Sequence, residues 1–150
     1  MGFDHRKTAV VGCAMLFAAG LTTGTAGAVQ ETKCSTPVHT SVSVHLANPG
    51  RWAYEYYVTW CVEGGEITAI TPHVTHDQDG TTCGWVTSAE ESNTRLEDGT
   101  GAWRTFNMSE FSCKNGDGTD GTVNPWGFIH VWPNGTSRVM RKGIGDLVVD

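Results

Sequence analysis

The sequence lacks the short motifs that identify many enzymes. It contains no G-x-S-x-G nucleophile motif, no H-E-x-x-H zinc motif and no glycine-rich phosphate-binding loop. Adjacent carboxylates occur at Glu90-Glu91 and Glu97-Asp98, but both pairs stand in polar stretches. A glycosidase needs two carboxyl groups that face one another across a cleft. We therefore predict a protein without enzymatic activity.

Basic residues are scarce as well. The chain has 10 lysines and arginines against 16 aspartates and glutamates, which gives a net charge of −6. An overall acidic field repels nucleic acid and anionic membrane surfaces. We accordingly expect neither nucleic acid nor a membrane among the partners of this protein.

No apolar run reaches the length of about 20 residues that a membrane span requires. The run over residues 8–21 follows a short basic start and precedes the small-x-small sequence Ala26-Gly27-Ala28. This order is typical of a secretory signal peptide. We predict that residues 1–28 are removed and that residues 29–150 form a single secreted domain. A lipoprotein cleavage box at Val10-Val11-Gly12-Cys13 is a rival interpretation of the same segment.

Closely spaced cysteine pairs are missing, which argues against a zinc site made of thiolates. An even number of cysteines follows the signal, and in an exported chain this indicates two disulfides. The four residues are Cys34, Cys61, Cys83 and Cys113.

The turns suggest how these cysteines pair, because opposed residues in a hairpin have a constant sum of positions. Cys83 and Cys113 are centred on the turn at residues 98–99, and Cys34 and Cys61 are centred beside the turn at residues 48–50. We favour this sequential pairing, although the sequence leaves all three connectivities open.

Helical periodicity is absent after the signal, and apolar residues alternate with polar ones instead. Glycine-containing turns divide the chain into roughly seven strands, with residues 88–93 as an unpatterned polar stretch and residues 114–122 as a loop. The pattern predicts an antiparallel β-sandwich, with a small β-barrel as the alternative. One aromatic-rich strand face is the predicted core: Trp52, Tyr54, Tyr56, Val58, Trp60 and Val62.

A second alternation, in the last predicted hairpin, carries the candidate binding site. If Ile129 and Val131 point into the core, the aromatic side chains between them form an exposed platform; otherwise both faces are buried. Across the turn at residues 134–135, Phe128 would stand opposite Arg141. Tryptophan and arginine are enriched in interface hot spots. The predicted binding residues are Trp126, Phe128, Trp132 and Arg141, with His130 on the same stripe.

The loop over residues 115–121 offers oxygen ligands on a flexible backbone, which is the chemistry that Ca²⁺ prefers. Asp117 and Asp120 are its candidate metal ligands. The loop does not continue to the bidentate glutamate of an EF-hand, and Asp, Asn and Gly also build ordinary turns. Calcium is therefore a secondary hypothesis, and we expect no other cofactor.

Three features resemble small secreted β-proteins of actinobacteria. They are the Thr/Gly/Ala-rich signal, the segment Tyr57-Val-Thr-Trp-Cys61 with a glycine turn after it, and the later Asn-Gly-Thr hairpin. The resemblance covers most of the chain after the signal and implies an extracellular protein. Some proteins of this kind serve as adaptors or accessory parts of secreted toxin assemblies, and others bind carbohydrate or inhibit proteases. It supplies no functional residues.

These features lead to one functional expectation and two alternatives. We expect a non-enzymatic secreted recognition module that binds an extracellular protein partner, as an adaptor or accessory subunit of a toxin-like complex. The first alternative is a carbohydrate-binding module that stacks a glycan on a flat tryptophan pair, assisted by calcium. The second is a secreted hydrolase or protease inhibitor, since catalytic triads assemble in space and can escape sequence motifs.

Overall fold

The part of the chain that the structure describes contains ten strands and no helix. A computed structural model describes residues 34–35 and 38–149. The predicted signal peptide, residues 1–28, lies outside these residues. The strands are β1 (His39–Thr40), β2 (Val44–Asn48), β3 (Trp52–Glu63), β4 (Glu66–Gln78), β5 (Cys83–Arg95), β6 (Trp103–Lys114), β7 (Asp120–Val123), β8 (Pro125–Val131), β9 (Ser137–Ile144) and β10 (Leu147–Val149).

The strands pair antiparallel in two open sheets, so the fold is a β-sandwich and not the alternative barrel. In the first sheet β3 is central, with β4 on one side and both β1 and β2 along the other. The second sheet has the order β10-β9-β8-β6-β5, and β7 pairs with β6 next to β8. No helix of the described residues is long and apolar enough to cross a membrane.

The core lies between the two sheets and contains the predicted aromatic face of β3. Five of its six predicted members are at most 5% exposed, and Val62 packs against them half-buried. Phe111, Ile129 and Val131 of the second sheet complete the apolar core. The inward set of β3 is Trp52, Tyr54, Tyr56, Val58 and Trp60.

Polar side chains also form hydrogen bonds inside the core, between the two sheets at Tyr54 and within the second sheet at Thr105. The Tyr54 hydroxyl donates to Asn107 Oδ1 at 3.0 Å, and both residues are fully buried. The Thr105 hydroxyl, equally buried, donates to the carbonyl oxygen of Ile129 at 3.1 Å. Because a buried polar group without a partner is costly, these bonds favour one register of the sheets over others.

Both disulfides have the predicted sequential pairing. Cys83 and Cys113 face one another in register on β5 and β6, with their Cα atoms 4.1 Å apart. Cys34 precedes β1 and reaches Cys61 on β3 with a Cα separation of 5.5 Å. The register of β1 on β3 places residue 38, not Cys34, opposite Cys61. The hairpin argument thus identified this pair without describing its geometry.

Two stretches that the sequence did not assign to strands contribute residues to strands. Residues 88–93 belong to β5, and the predicted loop at residues 114–122 contains the start of β7. The side chains of β5 from residue 86 onward are exposed, so the strand carries no apolar alternation. Its main-chain pairing with β6 holds it in the sheet, with two register shifts along the way.

One turn motif recurs at four corners of the fold. An Asp or Asn is followed by Gly-Thr, and its Oδ1 accepts a hydrogen bond from the backbone N–H of that threonine. The glycine in each case has positive φ, which residues with a side chain rarely adopt. The capping residues are Asp79, Asp98, Asp117 and Asn134.

Candidate functional site

The aromatic stripe of the last hairpin lies on the outer face of the second sheet. Ile129 and Val131 are fully buried between the sheets, whereas Trp126, Phe128 and His130 alternate with them on β8 and remain half-buried. The condition for an outward-facing stripe is therefore met. On β8, then, the β-branched side chains pack inside the sandwich and the aromatic rings lie on the outer face.

Phe128 lies at the centre of this outer face. Its ring stacks on Phe106 of β6, with centroids 4.5 Å apart and ring planes inclined by 29°. On the other side, Arg141 of β9 is its cross-strand partner. The guanidinium carbon of Arg104 lies 5.6 Å from the Phe128 ring centroid, within the range of a cation–π interaction. Phe128 thus contacts two side chains of β6 and lies opposite Arg141 of β9.

Trp126 is held in one orientation by two glycines of the β9–β10 hairpin. Gly143 is its cross-strand partner, and a Cβ atom there would lie 2.5 Å from the indole ring. The indole Nε1–H donates a hydrogen bond to the carbonyl oxygen of Gly145 at 2.7 Å. The ring therefore covers β9 and meets Phe128 edge-on, at 5.8 Å and 69°.

A row of basic side chains crosses the same face. Arg104, His130 and Arg138 are cross-strand neighbours on β6, β8 and β9. Burial lowers the pKa of His130, Arg104 lowers it further, and Asp98 opposes them. The lowered pKa favours the neutral imidazole, in which one ring nitrogen donates a hydrogen bond and the other accepts one.

The arginines of this face have no acidic partner among the described residues. The ion pairs among the described residues are Arg95–Glu66 at 3.2 Å and Lys114–Asp120 at 2.5 Å. Neither involves the guanidinium groups of the outer face. Among the described residues, therefore, no carboxylate forms an ion pair with Arg104, Arg138 or Arg141.

A β-bulge shapes the surface next to Phe128. The register shifts between Phe128 and Ile129, so β9 has one more residue here than β8. Met140 is 44% exposed, and a shallow depression of about 340 Å³ opens between it and the basic row. The depression is lined by Arg104, Phe128, His130, Met140 and Arg141.

We refer to this surface as the aromatic–arginine face. It comprises Arg104, Phe106, Trp126, Phe128, His130, Arg138, Met140 and Arg141.

The structure brings three of the predicted binding residues together and leaves the fourth at the edge. Trp126, Phe128 and Arg141 are direct neighbours. Trp132 joins them only through His130, at a centroid distance of 5.9 Å. Its carbonyl oxygen accepts a hydrogen bond from the indole of Trp60, so its backbone is tied to the core.

Sequence reasoning missed the contribution of β6. Arg104 and Phe106 reach the face because β6 pairs with β8, across a connection that contains β7. A tight turn reports the register of its own hairpin but not of strands joined by a longer connection. The alternation of β6 itself was the only available signal, since its even-numbered residues point outward.

Both candidate calcium ligands have partners within the protein. Asp117 Oδ1 accepts hydrogen bonds from the backbone N–H and the hydroxyl of Thr119, at 3.0 and 2.6 Å, and these bonds lower the pKa of its carboxyl group. Asp120 pairs with Lys114 instead. Within the described ranges, no group of three or more His, Cys, Asp or Glu side chains is placed to hold a metal ion.

A second depression, of about 350 Å³, lies on the first sheet near the start of β3. Its basic residue, Arg51, already donates to the Lys114 carbonyl oxygen and to the Thr82 hydroxyl. This depression therefore offers no free guanidinium, in contrast to the aromatic–arginine face.

Comparison of the chain with protein-family models, with curated proteins and with solved structures finds no match.

Proposed function

We propose that this protein is a non-enzymatic secreted recognition module that binds a protein partner, as an adaptor or accessory subunit of a toxin-like complex. The observation that carries the proposal is the aromatic–arginine face, where stacked rings stand on an outer sheet surface together with three arginines that have no acidic partner among the described residues. Large aromatic side chains and arginine dominate the binding energy of protein interfaces.

Action outside the cell is supported by two features. Both disulfides are formed, and disulfides are typical of extracellular proteins. The predicted signal peptide provides a route of export.

The shape of the face supports a protein partner over a glycan. A sugar ring stacks on a broad, flat aromatic surface, but Trp126 is inclined by 69° to Phe128 and Trp132 by 64° to His130. The two tryptophans are six strand positions apart, about 20 Å. An uneven surface with a central depression is better matched by the side chains of another protein.

The ionisable groups of the face support binding over catalysis. They are three arginines and one histidine, and an arginine keeps its proton at any physiological pH. A general base must accept a proton, which leaves His130 as the single candidate on this face. Its neighbours across the strands are both arginines, which do not stabilise a protonated imidazole.

The experiment is a comparative capture from the culture medium of the source organism. The full chain is expressed, the oxidised protein is purified from the medium, and it is immobilised as the native form and as two variants. Arg141→Ala alters the aromatic–arginine face, and Arg95→Ala removes the same charge at a distant edge. Mass spectrometry then identifies the retained proteins and their stoichiometry.

We expect one protein to be retained in stoichiometric amount by the native form and by Arg95→Ala, and to be much depleted on Arg141→Ala. Equal retention by all three forms would mean that binding occurs elsewhere. If no protein is retained but a cell-wall or plant glycan is, the carbohydrate alternative replaces the proposal.

A further inference from the structure

The aromatic–arginine face is a local concentration of positive charge on an acidic protein. The chain carries a net charge of −6, yet three of its ten basic residues lie around Phe128 and His130. The strand neighbours of His130 on both sides are arginines. Like charges placed together without counter-ions repel one another, and a bound anion relieves that repulsion.

The depression at the centre of this face has an apolar floor and cationic walls. Phe128 and Met140 supply its apolar surface. Arg104 on β6 and Arg141 on β9 lie on its two sides, and His130 lies on β8 between these strands. A glutamate side chain matches this combination, because its methylene groups pack on apolar atoms and its carboxylate accepts paired hydrogen bonds from a guanidinium.

The charge pattern around the depression favours a short acidic segment over a long polyanion. Glu90 projects from the same outer face, opposite Met108, and Glu110 lies two residues farther along β6. An extended sulfated or uronic chain that crossed the sheet would meet these carboxylates as well as the arginines. A segment that runs along β8 and β9 would avoid them.

We propose that the depression receives a glutamate or aspartate side chain from an acidic segment of the protein partner, held between Arg104 and Arg141 with its aliphatic part on Phe128. This inference rests on the proposed function and specifies the chemistry of the partner. Arg138 and His130 then extend the site toward the β8–β9 turn for a second acidic or polar group.

The test uses two small probes and the native oxidised protein. The probes are the N-acetylated, amidated tripeptide Glu-Leu-Glu and its uncharged counterpart Gln-Leu-Gln, each added up to about 10 mM, since a peptide of this size is expected to bind with a dissociation constant on the order of 1 mM. NMR spectroscopy follows the Nε–H signals of the arginines and the ring signals of His130. The charged groups that surround His130 are Arg104 on β6, Arg138 on β9 and Asp98 in the loop between β5 and β6.

We expect Glu-Leu-Glu to shift the signals of Arg104 and Arg141 and to raise the pKa of His130, and Gln-Leu-Gln to do neither. Arg104→Gln and Arg141→Gln should each weaken binding about fivefold, a loss typical of an exposed ion pair. Arg95→Gln, which removes the same charge elsewhere, should leave it unchanged. Higher salt should weaken binding of the native protein.

Three results would overturn the inference. The first is no response to either peptide, the second is an equal response to both, and the third is tighter binding of a sulfated disaccharide at the same residues. Any of these results leaves the proposed function standing if the comparative capture succeeds. If the capture retains no protein but the two peptides behave as expected, the proposal of a protein partner is rejected instead.

Discussion

Arg141 and Phe128 are paired across β8 and β9, and their surroundings differ in a way that separates binding from stability. Phe128 is packed against Phe106, whereas Arg141 is exposed and has no acidic partner among the described residues. A change at Phe128 removes packing as well as a binding contact. Arg141 is therefore the cleaner probe of recognition.

Arg141→Ala should weaken binding of the captured partner by about 2 kcal/mol, the scale of an interface hot spot. The melting temperature should change by no more than about 3 °C, because the side chain makes no intramolecular hydrogen bond in the described structure. Titration calorimetry and thermal denaturation measure the two quantities. A large loss of thermal stability would assign Arg141 a structural role instead.

Residue-scale reasoning from the sequence found the Phe128–Arg141 pair through two compensating features. The sequence predicts a two-residue turn at residues 134–135, and such a turn would place Phe128 opposite Arg141. The actual turn has three residues between Trp132 and Thr136, and Val131 therefore pairs with Ser137. If this register continued along the hairpin, Met140 would lie opposite Phe128. The bulge between Phe128 and Ile129 then restores the pairing with Arg141. Hydrophobic periodicity alone carries no sign of such a bulge.

At the scale of elements, β2 and β8 approach so closely that one glycine is required. Gly127 lies on the inner face of β8 against Val44, and a Cβ atom at this position would come within 2.5 Å of a Val44 methyl group. Val44 is a fully buried member of the core. The distance between the two sheets thus depends on the absence of a side chain at Gly127.

Gly127→Ala should lower the free energy of unfolding by about 2 kcal/mol, since the extra carbon overpacks the core. Gly84→Ala is the matched control, because nothing lies within 4 Å of its added Cβ and its φ is not positive. It should change stability by no more than about 0.5 kcal/mol. Urea denaturation of the two variants provides the comparison, and similar losses in both would contradict the close approach of β2 and β8.

The inward tyrosines of β3 give the protein an alkaline limit. Burial raises the pKa of Tyr56 to about 12, and burial likewise raises that of Tyr54. Each phenol ionises more easily in the unfolded chain, where its pKa is near 10. The stabilisation that follows from these raised pKa values is therefore complete below pH 10, and it is lost as the pH rises through 10 toward 12.

We expect the free energy of unfolding to fall in this window, by up to about 1.4 kcal/mol per pH unit for each buried tyrosine. Tyr56→Phe should have a shallower fall than the native protein, because one titrating group is gone. Denaturant titrations at a series of pH values measure the difference. Identical pH dependence in both proteins would mean that Tyr56 ionises freely in the folded state.

The strand pattern was predictable wherever a face is buried, and it was not predictable at the sheet edge. The inward face of β3 alternates without interruption, and its residues form the core as expected. β5 has exposed side chains over most of its length, so its pairing with β6 leaves no pattern in the sequence. Arg104 was missed for a related reason, because no tight turn reports the register of β6 on β8.

At the scale of the whole molecule, the two disulfides reinforce the sheets separately. Cys34–Cys61 ties the segment before β1 to the first sheet, and Cys83–Cys113 joins two strands of the second. Among the described residues no disulfide crosses between the sheets. The association of the sheets therefore depends on the packed core and on bonds such as Tyr54 to Asn107.

Replacing Cys83 and Cys113 together by serine should cost about 3–4 kcal/mol, the chain-entropy estimate for a bridge that spans 30 residues. Such a loss is a large part of the stability of an ordinary domain, about 5–15 kcal/mol. Chemical denaturation of the oxidised double variant and of the native protein measures it. An unchanged denaturation midpoint would show that the pairing of β5 with β6 is stable without the bridge.

The charge of the whole molecule sets the aromatic–arginine face apart from the rest of the surface. The protein as a whole is acidic, and among the described residues this face groups three arginines, so it attracts an acidic partner that the net charge of the protein repels. This arrangement favours one docking orientation. It also implies that binding weakens as the salt concentration rises.

The most direct test of this account is NMR mapping of the native protein in complex with the captured partner. We expect signal changes to concentrate on the outward residues of β6, β8 and β9, with the largest at Phe128 and Arg141. The outer face of the first sheet should remain unaffected. Changes confined to the first sheet, or to the free edges of β5 or β10, would contradict the central claim that the partner docks on the aromatic–arginine face.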